Sequence, residues 1–158
     1  DMVAEQQENL ITDIIADTLN ILKATKITPK RVFFYTSAPW KWQVYLKILE
    51  KAVAGEAKIN EVMKEIALDP ATKPHMKEAS KIVPKTLKAM TKLSSERKAN
   101  MLRIKSVNEE EIVKGALRFL KERFNAEVSV YSEESKERID PKQRAEMAMP
   151  YQPAIYVE

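Results

Sequence analysis

Six lysines, Lys73, Lys77, Lys81, Lys85, Lys88 and Lys92, follow one another at spacings of 4, 4, 4, 3 and 4 residues. On a helix this spacing lines the ammonium groups along one face and leaves Val83, Leu87 and Met90 on another. Neighbouring like charges cost a few tenths of a kcal/mol per pair in an isolated helix, and between residues 73 and 105 only Glu78 and Glu96 offset ten basic side chains. Such a stripe is either a solvated face or a contact for an anionic backbone such as nucleic-acid phosphate. Arg97, Lys98, Arg103 and Lys105 extend it. Trp40-Lys-Trp42 sets both tryptophans beside a lysine at a helix start. The indoles could stack on unpaired bases with Lys41 near phosphate; because Trp40 shares its helical face with Val44, burial against a sheet is the competing role.

Other candidate chemistry is sparse. Glu109, Glu110 and Glu111 resemble a carboxylate cluster for a metal, but a helix's first turn favours acids through its dipole and explains them without one. His75, between Pro74 and Met76, has no Ser or Asp partner at an interpretable spacing and is expected at a helix start. With no Cys and a single His, disulfides, thiol nucleophiles, cysteine zinc sites and two-histidine metal motifs are all excluded. About 7% glycine, the average, would give about 11 in this length. The chain has two, Gly55 and Gly115, too few for a phosphate-cradling loop or a dinucleotide fingerprint. We expect no catalytic residue, no metal and no cofactor here.

The elements that must position the stripe can be read from the pattern. Leu10, Ile11, Ile14, Ile15, Leu19 and Leu22 recur at helical spacing over about 3–24. Arg31–Thr36 is a short β-branched and aromatic run between Pro29 and Ser37-Ala-Pro39, as for a buried strand. Pro39 suits a first helical turn, and Trp40, Val44, Ile48 and Val53 carry that helix to Gly55. Further helices are expected over 56–68, over 76–93 with a kink or break at Pro84, and over 94–102. Asn108-Glu-Glu-Glu111 has the capping-box pattern and opens a helix through Arg123. Glu127–Ser132 and Ala154–Val157 complete about three strands, with one more helix between them. The result is an α+β (α/β-like) fold: a small sheet covered by helices, a long helical insertion between the first two strands, and those strands parallel across the crossover.

The net charge of +4 conceals a partition: −5 over residues 1–22, +4 over 23–72, +8 over 73–105, −3 over 106–140 and zero over the last 18. The longest stretch without Asp, Glu, Lys or Arg, Met147–Val157, has 11 residues, short of the roughly 20 that span a bilayer. The acidic amino end is the reverse of a secretory signal, so we expect a cytoplasmic protein with no membrane partner. An Asp in first place suggests a segment of a longer chain.

Ile27–Trp42, Arg123–Glu133 and the closing Tyr151–Glu158 together resemble the C-terminal region of archaeal and eukaryotic-type leucyl-tRNA synthetases, and the likeness extends over nearly the whole chain. Lys92-Leu-Ser-Ser-Glu96 is only faintly similar to the class I synthetase signature loop. Ser95 stands where that loop has its second lysine, and Ser94 or Ser95 reads as a helix cap. The resemblance implies one non-catalytic tRNA-binding domain over 1–158, its leading helix (1–26) packing on a preceding anticodon-binding bundle. Partners would be tRNA(Leu), through its long variable arm, and the upstream domains of the same monomeric enzyme; ATP and Mg²⁺ would serve those domains. It also implicates the extreme C-terminus in base reading. The candidate tRNA-binding residues are therefore Pro153, Ile155, Tyr156, Val157 and Glu158 beside the six lysines. Glu158 and the terminal carboxylate repel phosphate, so a tail touching RNA would meet base edges; an edge strand with a frayed end is the plainer role. A protein-interaction module within a synthetase assembly is the alternative function.

Overall fold

The computed structural model describes residues 1–158. Helix α1 (Met2–Thr25) leads into strand β1 (Arg31–Thr36); helices α2 (Pro39–Ala54), α3 (Ile59–Leu68), α4 (Met76–Met90) and α5 (Ser95–Ile104) follow. Then come α6 (Glu109–Gly115), α7 (Leu117–Phe124), β2 (Glu127–Ser132) and β3 (Ala154–Val157). The chain divides into two compact units, one of Asp1–Ala38 with Asn108–Glu158 and one of Pro39–Val107. The first holds 12 Lys and Arg against 16 Asp and Glu, and the second 15 against seven, so their net charges are −4 and +8. The basic excess therefore belongs to the helical unit.

In the first unit the strand order is β2-β1-β3. β1 runs parallel to β2, with Val32 opposite Val128 and Phe34 opposite Val130, and antiparallel to β3, with Val32 opposite Val157 and Phe34 opposite Ile155. The expected α+β class and the parallel first pair are both present. Val32 and Phe34 face a core with Leu10 and Ile14 of α1, Val113 of α6, and Leu120 and Phe124 of α7. Phe33 and Tyr35 face the other way, packing with Ala145, Ala148 and Ala154. A strand covered on both sides needs an unbroken apolar run rather than alternation, and β1 has one.

The second face is closed by residues 133–153, where the helix expected between β2 and β3 does not form. Asp140-Pro141, Pro150 and Pro153 interrupt any helical ladder, and the segment makes turns plus one 3-10 turn at Ala145–Met147. It is tied down instead by the Tyr35 hydroxyl, which donates to the Ile139 carbonyl, and by the Glu133 carboxylate, which accepts from the Ala38 amide at 2.7 Å. Two other boundaries differ. The helix expected over 109–123 is divided at Ala116, directly after Gly115, a poor helix former. Of the kink or break expected at Pro84, the break is absent, and α4 continues through it. Pro84 and Ser80, whose carbonyl loses its amide partner there, are both exposed, so water can satisfy that oxygen.

In the second unit α2 packs on α3, α4 and α5, burying Val44, Ile48, Leu49, Val62, Ile66, Val83, Met90 and Met101. The Thr72 hydroxyl donates to the Ile66 carbonyl at 2.7 Å, fixing the approach to α4. Caps follow the sequence: Ser94 accepts from the Arg97 amide and Asn108 from the Glu111 amide. In the capping box the return bond comes from the Asn108 side-chain amide to Glu111 rather than from its backbone. Because Phe34 is wholly buried at the centre of the sheet, Phe34→Ala is expected to cost about 3–5 kcal/mol, measured as a lower denaturant midpoint with an unchanged slope.

Candidate nucleic-acid interface

α4 separates charge from core by geometry. At about 100° per residue, Lys77, Lys81, Lys85 and Lys88 fall within an arc of about 80°. Ala79, Val83, Thr86 and Met90, all buried, occupy the opposite side. All six lysines of the stripe are exposed, but they do not all share the helix. Lys73 lies in the 3-10 turn Lys73–His75 that leads into α4, and Lys92 in the turn after it. The continuous face expected from spacing alone is therefore four helical lysines flanked by two on turns. The ion pairs of this unit, Lys47 with Asp69 and Lys51 with Glu65, both at 3.0 Å, leave the stripe out. Its ammonium groups stay available for an external anion.

The Trp40–Trp42 segment is arranged differently from either expectation. Trp42 is buried edge-on against Tyr45. Trp40 is half-buried and its ring lies parallel to His75 with centroids 4.4 Å apart, so the histidine at the start of α4 takes one indole face. Lys41 is only 3% exposed and its Nζ is 5.7 Å from the Trp40 ring centroid. It is an internal cation rather than a phosphate contact.

In the first unit the tail is a structural strand. Pro153 and Val157 are buried, Ile155 and Tyr156 half-buried, and Glu158 exposed. The side chains of Pro153 and Val157 therefore seat the tail in the sheet unit. Arg31 and Glu158 exchange both backbone hydrogen bonds, and in an antiparallel pair this alternates. Ile155 and Val157 thus turn their backbone N–H and C=O groups toward the sheet's open edge. The Glu158 carboxylate accepts from the Arg31 guanidinium at 3.3 Å and from the Tyr156 hydroxyl at 3.2 Å. Burial, then this carboxylate, raises the Tyr156 pKa. An exposed pair of this kind contributes at most about 1 kcal/mol, so a ligand can compete for the carboxylate.

Glu109 occupies the first turn of α6 as expected, but its burial carries no mark in the sequence. Its neighbours Glu110 and Glu111 lie at the helix surface, but Glu109 is 2% exposed. The Ser37 hydroxyl and the Tyr151 amide lie beside its carboxyl and pull the pKa down, yet neither completes a hydrogen bond of good geometry. Burial outweighs both and pushes the pKa up to about 8. The group is a neutral acid at pH 7, next to the residue that begins the tail. Tyr151 holds a φ of +64°, uncommon for a residue with a side chain. No sequence signal distinguished Glu109 from its neighbours. No three His, Cys, Asp or Glu side chains are grouped so as to hold a metal.

The whole chain has relatives among archaeal synthetases. Leucine–tRNA ligase of Methanococcoides burtonii is 32% identical over all 158 residues, which make up 16% of that enzyme. Its homologues are leucine–tRNA ligases. The Pyrococcus abyssi ligase is 31% identical over 155 residues, 98% of this chain and 14% of the enzyme, and that of Methanothrix thermoacetophila is 30% identical over 158 residues and 16% of its length. The chain thus spans only 14–16% of these curated leucine–tRNA ligases. No protein-family model matches the sequence. No helix is long and apolar enough to cross a membrane.

Glu109 sets a pH dependence. The folded carboxyl keeps its proton to about pH 8, whereas an ordinary glutamate releases it near 4.5. Its contribution to stability is therefore complete below about 4.5 and lost as pH rises through 8, with a slope of about 1.4 kcal/mol per pH unit. Denaturant unfolding at pH 5, 6, 7 and 8 is expected to show the wild type losing stability relative to Glu109→Gln across that window. A constant difference would contradict a buried neutral Glu109.

Proposed function

We propose that this chain is a non-catalytic tRNA-binding segment of a cytoplasmic leucine–tRNA ligase, acting on the long variable arm of tRNA(Leu) while other domains of the same enzyme, with ATP and Mg²⁺, carry out leucylation. The observation that carries the reading is the exposed lysine face of α4, on which Glu78 is the single carboxylate and which fits a phosphate backbone. The similarity to leucine–tRNA ligases over the whole chain supports tRNA(Leu) as that RNA.

Two surfaces divide the work. Lys73, Lys77, Lys81, Lys85, Lys88 and Lys92 contribute affinity through phosphate, which is indifferent to sequence. The open edge at Ile155 and Val157, with Tyr156 and Glu158, offers backbone donors and acceptors and a carboxylate, the groups suited to base edges. Pro150 and Pro153 stiffen the approach and reduce the ordering cost of that contact.

Replacing Lys77, Lys81, Lys85 and Lys88 together by Gln leaves the core of α4 untouched. It is expected to weaken binding to every tRNA and to lower the log–log salt slope by about 3, from roughly 0.7–0.9 per phosphate contact. Gel-shift titrations between 50 and 300 mM salt measure this, and an unchanged slope would remove phosphate from the account. A protein partner recruited without RNA and insensitive to salt would favour an interaction module instead.

Deleting the tail would remove β3 and its buried Ala154 and Val157, so Glu158→Gln is the cleaner probe. It is expected to reduce the preference for tRNA(Leu) over a short-armed tRNA while changing affinity for the latter little. Equal loss for both would contradict base reading by the tail.

A further inference from the structure

Where α2 ends and α4 finishes, the helical unit contains a cleft of about 330 Å³. Ala52, Ala57, Leu87 and Met90 give it apolar walls; Lys88 and Lys98 supply two cations. We propose that this cleft takes a single unstacked nucleotide, with the base between the apolar walls and its phosphate on Lys88 and Lys98.

The volume lies at the low end of small-ligand pockets and suits one such unit rather than an extended ligand. Met90 is buried and Leu87 half-buried, and a flat polarisable ring is a good partner for a thioether and an isobutyl group. On the α4 side of the cleft the backbone is already engaged: the Thr91 hydroxyl donates to the Lys88 carbonyl, and the Lys92 and Leu93 amides donate to Ala89 and Met90. Glu56, also at the cleft and exposed, accepts hydrogen bonds only, so it can take the N–H donors of a base's pairing edge: the exocyclic amino group of A, C or G, or the ring N–H of G or U.

Lys88 belongs both to the cleft and to the α4 face. A strand of RNA held along that face by its phosphates thus has a nucleotide beside the cleft to turn out of the stack, at a cost that is least where the base is already unpaired. This placement rests on the RNA-binding reading, but the chemistry of the cleft does not. A free nucleoside monophosphate presents the same groups.

Methyl spectra of the full chain, labelled at Met, Leu and Ala, test the proposal with AMP, CMP, GMP, UMP, ribose 5-phosphate and a single-stranded RNA dodecamer as probes. AMP, CMP, GMP and UMP are expected to shift the Leu87 and Met90 methyls saturably, and ribose 5-phosphate not at all. Ala57→Phe, in the connection between α2 and α3, fills the cleft and is expected to abolish these shifts. Equal shifts from ribose 5-phosphate and AMP, or none from any nucleotide, would overturn the proposal. If RNA affinity persists while Leu87 and Met90 stay unmoved, the cleft is refuted and the lysine face stands. If mononucleotides shift them but the dodecamer does not bind, the nucleotide cleft stands and the RNA reading falls. Shifts with the dodecamer that Ala57→Phe removes support a nucleotide delivered by RNA.

Discussion

Burial of β1 on both faces is the constraint that the sheet unit is built around. Val32 and Phe34 need the helices α1, α6 and α7, and Phe33 and Tyr35 need the turn-rich segment 133–153. The C-terminal strand is recruited by the same demand. Val157 and Ile155 finish the helix-side core, while Ala154 and Tyr156 finish the other. A tail held this way presents a fixed backbone edge, and little ordering entropy is left to lose when a ligand meets it.

In the helical unit the governing effect is desolvation. Burying an ammonium without a partner is costly, so apolar positions on one side of α4 force its lysines to the other. Four like charges on one arc repel only weakly in water, and salt screens them further. Burial of Ala79, Val83, Thr86 and Met90 outweighs that repulsion. The lysines therefore cost the fold little, and an anion that neutralises them gains from all at once.

What the sequence made legible followed from strong local patterns. β1 was evident because two-sided burial leaves an unbroken apolar run, and α4 because lysines and apolar residues repeat on opposite arcs. Asn108 and the Ser94-Ser95 pair announced their caps by chemistry that acts within three residues, and Ser94 takes the second. Long-range effects left no such mark. Tyr35 reaching the Ile139 carbonyl joins positions 104 residues apart, and nothing local predicted it. Glu109 had the same first-turn setting as Glu110 and Glu111, and only packing against Ser37 and Tyr151 set it apart. Lys41 beside two tryptophans at a helix start is compatible with a phosphate contact as well as with burial, and only tertiary packing puts it inside. The cleft at Lys88 is formed by segments at least 30 residues apart in sequence and could not be anticipated from either.

Hydroxyl-radical footprinting of tRNA(Leu) with the intact chain tests the central claim most directly, because it reports which riboses the protein covers without presupposing which lysines act. Protection concentrated on the long variable arm, fading as salt rises and weakened when the α4 lysines are neutralised, is the result this account predicts. A variable arm cleaved as freely with protein as without it, under conditions where the protein is bound, would contradict it.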